Sequence, residues 1–121
     1  MSRGAWWRGV LCLLLPVWPV FAAAATPPPP AFEPCAVCHS TDGSNGVGPS
    51  LKGILGRRAG SFPGFRYSRG MRAASFSWDA SLLDRYLTDP QGLVPGNVMP
   101  FSGVADPAAR ADLISWLATL N

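Results

Sequence analysis

At Cys35-Ala36-Val37-Cys38-His39 the chain carries two thiols three positions apart and an imidazole directly after the second. This C-x-x-C-H spacing is the one that covalent attachment of a c-type haem requires. Each thiol can add to one vinyl group of a porphyrin, and the histidine is then placed beneath the iron, where a ring nitrogen coordinates it. A chain attached in this way is built on its ligand.

The pair C-x-x-C also opens zinc sites and forms the redox centre of thioredoxin-like proteins. A closed zinc site takes four nitrogen or sulfur ligands, yet beyond Cys35, Cys38 and His39 the sequence holds no second histidine and one more cysteine, Cys12. A thioredoxin-like pair wants a strand-helix-strand setting, whereas this one is flanked by Pro27-Pro28-Pro29-Pro30 and a glycine-rich run at 43–48. Haem attachment is the reading these neighbours leave standing.

Residues 1–25 begin with Arg3 and Arg8, continue through an apolar run at 10–21 and end in Ala22-Ala23-Ala24-Ala25, the pattern of a secretory signal peptide. The competing reading, an uncleaved membrane anchor, has an apolar run shorter than the ~20 residues of a span, broken by Pro16 and Pro19. Cys12, inside that run, reads as a plain hydrophobe. Cleavage leaves residues 26–121, one small domain whose own core is thin enough that a planar apolar cofactor supplies much of what it wraps around. It also removes Arg3 and Arg8, so ten basic side chains fall to eight against seven acidic ones. That balance gives no electrostatic support to nucleic-acid binding.

Residues 26–31 form a proline-rich spacer, extended and unable to start a helix, and the domain proper runs from 32 to 121. Glycine and proline between 42 and 64 predict loops, with a short helical piece at 50–55. Over 78–89, Leu82, Leu83, Tyr86 and Leu87 recur at helical spacing after a cap at Asp79 and before a stop at Pro90. The clearest helix is the last, with Asp106 as cap, Pro107 first, and an apolar face of Leu113, Ile114, Trp116, Leu117 and Leu120. No strand pattern competes, so the expected fold is all-α with long loops.

An iron held by His39 needs a second ligand or an open position. Lys52 is the single lysine, and once Met1 leaves with the signal the thioether candidates are Met71 and Met99. Met99 lies in Val94-Pro95-Gly96-Asn97-Val98-Met99-Pro100-Phe101, where bracketing prolines restrict the backbone and can hold a weak, soft ligand in place. That favours Met99, while Met71 reads as a core gap-filler.

With these residues in view, the stretch 32–120 resembles the class I cytochromes c, close to their mitochondrial-type branch. The resemblance rests on the pentapeptide, Gly48-Pro49-Ser50-Leu51, Gly56-Arg57-Arg58-Ala59-Gly60, Pro63-Gly64-Phe65-Arg66-Tyr67-Ser68, Trp78, Pro95-Gly96-Asn97-Val98-Met99 and Arg110-Ala111-Asp112-Leu113-Ile114-Ser115-Trp116-Leu117. It implies a small cytochrome c fold around one haem c, attached through Cys35 and Cys38 and ligated by His39 and Met99. It further implies that the Pro49 carbonyl accepts from the second ring nitrogen of His39. Arg57, Tyr67, Trp78 and Asn97 would donate to the haem propionates, whose burial alone would be unfavourable. Tyr86 would lie near the Met99 sulfur, and Leu51, Leu87, Phe101 and Leu113 would line the pocket.

Two departures from the family pattern stand out. Members begin with a helix that crosses the last one, but Pro34 biases Glu33 away from helical geometry, so the N-terminal helix is expected to be short or absent, with Phe32 and Trp116 carrying the remaining contact. The family's usual Thr-Lys before the ligand methionine is Asn97-Val98 here, which removes a positive charge.

The activity implied is one-electron shuttling between membrane or periplasmic redox partners by a monomer, with transient docking and no catalysis by side chains. The alternatives are a haem enzyme or gas sensor with a labile distal site, and a dedicated haem subunit of one oxidoreductase. The cleavable signal points to a periplasm, with membrane attachment only if it is retained.

Overall fold

The computed structural model describes Met1 and residues 15–121. Arg3, Arg8, Cys12 and the start of the apolar run therefore lie outside the described residues. Within them no helix is long and apolar enough to cross a membrane. A 3₁₀ turn at Pro30–Phe32 leads into α1 (Glu33–Ala36), followed by α2 (Arg69–Ala73), α3 (Ala80–Thr88), α4 (Pro90–Leu93) and α5 (Pro107–Leu117). Among the described residues extended pairing is limited to one isolated antiparallel bridge, Arg58 with Ser77. The fold is all-α with long loops.

The two longer helices start where their caps predict. The Asp79 carboxylate accepts from Leu82 N–H at 2.7 Å, and the Asp106 carboxylate accepts from Ala108 N–H at 3.1 Å ahead of Pro107. Each satisfies an amide that the first helical turn leaves without a partner. Helix α3 buries Leu83, Tyr86 and Leu87, and α5 buries Leu113, Ile114, Trp116 and Leu117, so the two pack together through these faces. Trp78 joins them, set edge-on between Phe76 (centroids 4.9 Å apart) and Tyr86 (5.0 Å). Arg110 closes this layer: its Nε donates to Asp84 at 2.8 Å and its Nη1 to the carbonyls of Val104 and Ala105 at 2.9 and 3.1 Å.

Several local expectations need correction. The piece at 50–55 is not helical but two successive turns, with Ile54 N–H bonded to Leu51 O and Arg57 N–H to Ile54 O. Gly53 and Gly56 sit at φ of 65° and 82°, the left-handed region that ends a right-handed helix. Pro90 stops α3 as expected, but it also opens α4, because the Asp89 carboxylate turns forward to accept from Gly92 N–H at 3.0 Å. Helix α2, capped by Ser68 Oγ on Met71 N–H, gave no periodic signal.

At the N-terminus Glu33 is helical (φ −51°, ψ −49°) despite Pro34, which occupies the first turn of α1, where its missing N–H goes unneeded. Pro30 likewise opens the 3₁₀ turn inside the segment expected to form no helix. The resulting helix is stunted all the same, and Phe32 meets Trp116 with ring centroids 4.5 Å apart. Trp116 Nε1 donates to the Thr26 carbonyl at 3.0 Å, so the proline-rich segment is pinned to α5 at its first residue.

Candidate cofactor site

Between α1, the 43–57 loop, α3, α5 and the loop after α4 lies a cavity of about 330 Å³, within the range of small-molecule and cofactor sites. The residues singled out from the sequence as ligands, attachment points and pocket groups line it: Cys35, Cys38, His39, Pro49, Leu51, Arg57, Tyr67, Trp78, Tyr86, Asn97, Met99 and Phe101. Leu87 and Leu113 line it too, and so does Met71, the other thioether, which sequence reasoning had assigned to ordinary packing. Ile54, Phe65, Leu83 and Leu117 add to the apolar wall; helical spacing marks Leu83 and Leu117 as inward-facing, but no local pattern ties any of the four to the cavity, since they become neighbours only when distant segments meet.

The motif end of the cavity is held by its own backbone. His39 N–H bonds to Cys35 O at 2.9 Å and Cys38 N–H to the same oxygen at 3.1 Å, so one turn of chain presents both thiols and the imidazole together. Both cysteines are unpaired and half-buried, and burial pushes the Cys35 thiol above its ordinary pKa. The His39 Nδ1 lies 2.7 Å from the Pro49 carbonyl, an acceptor that requires Nδ1 to carry the hydrogen. That leaves Nε2 with its lone pair for a metal. Gly48 makes this possible: a Cβ there would come within 2.5 Å of His39 Cε1.

At the opposite end the Tyr86 hydroxyl donates to Met99 Sδ at 3.9 Å. Burial pushes the Tyr86 pKa up to about 12, so the hydroxyl keeps its hydrogen at neutral pH.

The four expected propionate donors divide. Arg57 gives Nη1 to Lys52 O at 3.0 Å and Nη2 to Ser50 O at 2.9 Å, and stacks 4.7 Å over the Phe62 ring, with other guanidinium hydrogens left over. The Tyr67 hydroxyl accepts from Phe62 N–H at 3.1 Å, which leaves its own hydrogen to give. Trp78 Nε1 has no partner among the described residues. Asn97 is different, and here the expectation fails: its amide hydrogens go to Pro90 O at 3.0 Å and Val94 O at 2.9 Å, so it has none for a propionate.

A rigid planar ligand fits these features. The thiols, the lone pair of His39 and the Met99 sulfur share one largely apolar cavity, and Arg57 is the one permanently charged side chain lining it among the described residues.

The chain is similar to known proteins over most of its length. Cytochrome c2 iso-2 of Magnetospirillum fulvum is 47% identical over 93 residues, covering 76% of this chain and 97% of that protein. Cytochrome c2 of Rhodomicrobium vannielii is 42% identical, covering 85% of this chain and 86% of that protein. Among solved structures, cytochrome cH from Methylobacterium extorquens superposes with a TM-score of 0.71 at 41% identity, over 74% of this chain and 91% of that one. No family model matches the chain.

Proposed function

The chain belongs to the class I cytochromes c, and on that premise we propose that His39 and Met99 are the two axial ligands of its iron. The protein is a one-electron carrier with a single haem c held covalently through Cys35 and Cys38. When bound, that group supplies an iron that alternates between ferrous and ferric forms.

The observation that carries the ligand assignment is the 2.7 Å hydrogen bond from His39 Nδ1–H to Pro49 O. It fixes the tautomer and the ring orientation and leaves the Nε2 lone pair free for the iron. A thioether at Met99, in a cavity walled by apolar side chains, favours the ferrous state and sets a high potential. Arg57, Tyr67 and Trp78 retain hydrogens for the propionates, which offsets the unfavourable burial of those carboxylates.

The sole histidine is committed to the metal, and no carboxylate lines the cavity, so the protein acts as a carrier and not as an enzyme. Residues 1–25 direct export to the periplasm, where the domain at 32–121 docks transiently, as a monomer, against its redox partners. The test is the visible absorption of both redox states with acid-acetone extraction. Colour should stay with the polypeptide, and the ferric protein should show a far-red iron-sulfur band that Met99→Ala abolishes. Pigment released into acetone, or a band that survives in Met99→Ala, overturns the assignment.

A further inference from the structure

The segment that carries Met99 runs from the end of α4 at Leu93 to the start of α5 at Pro107 without regular structure of its own. Backbone groups in such a segment must find partners elsewhere, and the partners decide how firmly the segment is held. Backbone bonds such as Val104 N–H to Leu87 O and the Arg110 guanidinium hold its far part, and around Met99 two side-chain amides supply further partners. Asn97 is 7% exposed; its Nδ2 gives one hydrogen to Pro90 O and the other to Val94 O, and its Oδ1 accepts from Met99 N–H at 3.1 Å. Gln91, exposed on α4, reaches the same stretch from outside, with Nε2 donating to Asn97 O at 2.8 Å and Oε1 accepting from Gly96 N–H at 3.3 Å.

Every nitrogen and oxygen of both amides is thus used: three of the five bonds tie the turn of α4 to the backbone that delivers the sulfur, and the other two, to Val94 O and from Met99 N–H, brace that backbone on itself. On the far side the Pro95 carbonyl presses against Gly70 of α2, where a Cβ would collide with it. The geometry points to a Gln91–Asn97 amide clasp that positions Met99, an inference that rests on Met99 being an iron ligand. Asn97 and Gln91 act through the loop and are positioning residues; Asn97 has no hydrogen left for the haem, and Gln91 does not line the cavity.

A clasp of this kind sets how often the loop opens. Imidazole can take the iron only in molecules whose sulfur has left, so its apparent affinity scales with the open fraction. The experiment measures imidazole binding and the far-red band on the ferric, haem-loaded protein, with denaturation midpoints alongside. Asn97→Ala should tighten apparent imidazole binding about tenfold and Gln91→Ala about threefold, each with a weakened band, since each removes bonds held only by the closed loop. Trp116→Phe, outside the cavity, should lower the midpoint and leave imidazole affinity at the wild-type value.

Wild-type imidazole affinity in both amide variants overturns the clasp. So does an equal gain in Trp116→Phe, because loop opening would then follow global stability alone. Should Asn97→Ala fail to accumulate with haem, Gln91→Ala decides the matter, since its side chain is exposed and its removal leaves no cavity. A band that persists in Met99→Ala instead overturns the ligand assignment beneath the proposal, whatever the amide variants show.

Discussion

The Tyr86 hydroxyl points its hydrogen at Met99 Sδ across 3.9 Å, from a position where burial holds its pKa at about 12. A donor on the sulfur draws electron density from it and so favours the electron-rich ferrous iron. Tyr86→Phe keeps the ring packed against Trp78 and removes only that donor. A neutral hydrogen bond is worth about 1 kcal/mol, and one-electron potentials move about 59 mV per tenfold in equilibrium constant, so the potential should fall by about 20–40 mV. Redox titration of both proteins settles this, and an unchanged or higher potential in Tyr86→Phe counts against the role.

Gly48 faces the ring of His39 with no room for a side chain: a Cβ would lie 2.5 Å from Cε1 and 2.7 Å from Nδ1. Gly48→Ala must push the imidazole aside and break its bond to Pro49. The haem-loaded variant should lose about 1–3 kcal/mol in denaturant unfolding, the usual penalty of overpacking, and show altered ligand-field absorption. Wild-type stability and spectrum together would mean the loop yields without disturbing the ligand.

Trp116 does two jobs for a chain whose first helix is one turn long: it packs against Phe32 at 4.5 Å and donates to Thr26 O at 3.0 Å. Trp116→Ala should therefore cost about 3 kcal/mol or more, as core aromatic truncations do. Trp116→Phe keeps an aromatic contact and drops the hydrogen bond, for a loss of about 1 kcal/mol. Equal melting temperatures for Trp116→Ala and wild type would show that the N-terminal segment contributes nothing to the fold.

The haem attachment was legible in the sequence because covalent chemistry admits few residue types at few spacings, so Cys35, Cys38 and His39 are marked by identity alone. Asp79 and Asp106 were legible for a similar reason: a cap is a local bond between a side chain and an amide three or fewer positions on. Asn97 was not. Whether its amide faces a propionate or turns back depends on α4, a single turn made by Asp89 and Pro90, too short to leave a periodic trace. The false helix at 50–55 has the same root, since Leu51, Ile54 and Leu55 look helical until Gly53 and Gly56 take positive φ. Pro34 misled because its bias against a helical Glu33 is outweighed once Phe32 is anchored on Trp116.

Asp42, in the loop after His39, accepts from both Ser44 N–H at 2.8 Å and Ser44 Oγ at 2.6 Å. Chiefly through the Ser44 hydroxyl, these bonds hold its carboxyl down at about 2, against an ordinary 3.8. A depressed folded-state pKa contributes stability that is complete above 3.8 and is lost as pH falls toward 2. Carboxyl NMR should place the Asp42 midpoint near the lower value, and Ser44→Ala should return it toward the upper one. A wild-type midpoint already at the ordinary value would remove Asp42 from the acid response.

The mouth of the cavity sets how partners dock. Val47 and Val98, 78% and 77% exposed, both line it, and Val37 of the pentapeptide is 80% exposed, while Lys52 is the one lysine in the chain. The exposed Arg58, Arg66, Arg69 and Arg72 lie on the 58–72 segment; none of the four lines the cavity, and none is ion-paired among the described residues. Exposed apolar side chains on a lining whose one permanently charged member is the half-buried Arg57 favour brief contact by desolvation over long-range steering. With residues 1–25 removed the protein part carries +1, so little net charge remains to mask a local effect. Second-order electron transfer to a small anionic oxidant, hexacyanoferrate(III), should change less than about threefold between about 10 mM and about 0.5 M salt. A fall of tenfold or more would place the cations of the 58–72 segment at the electron's exit and move the docking surface there.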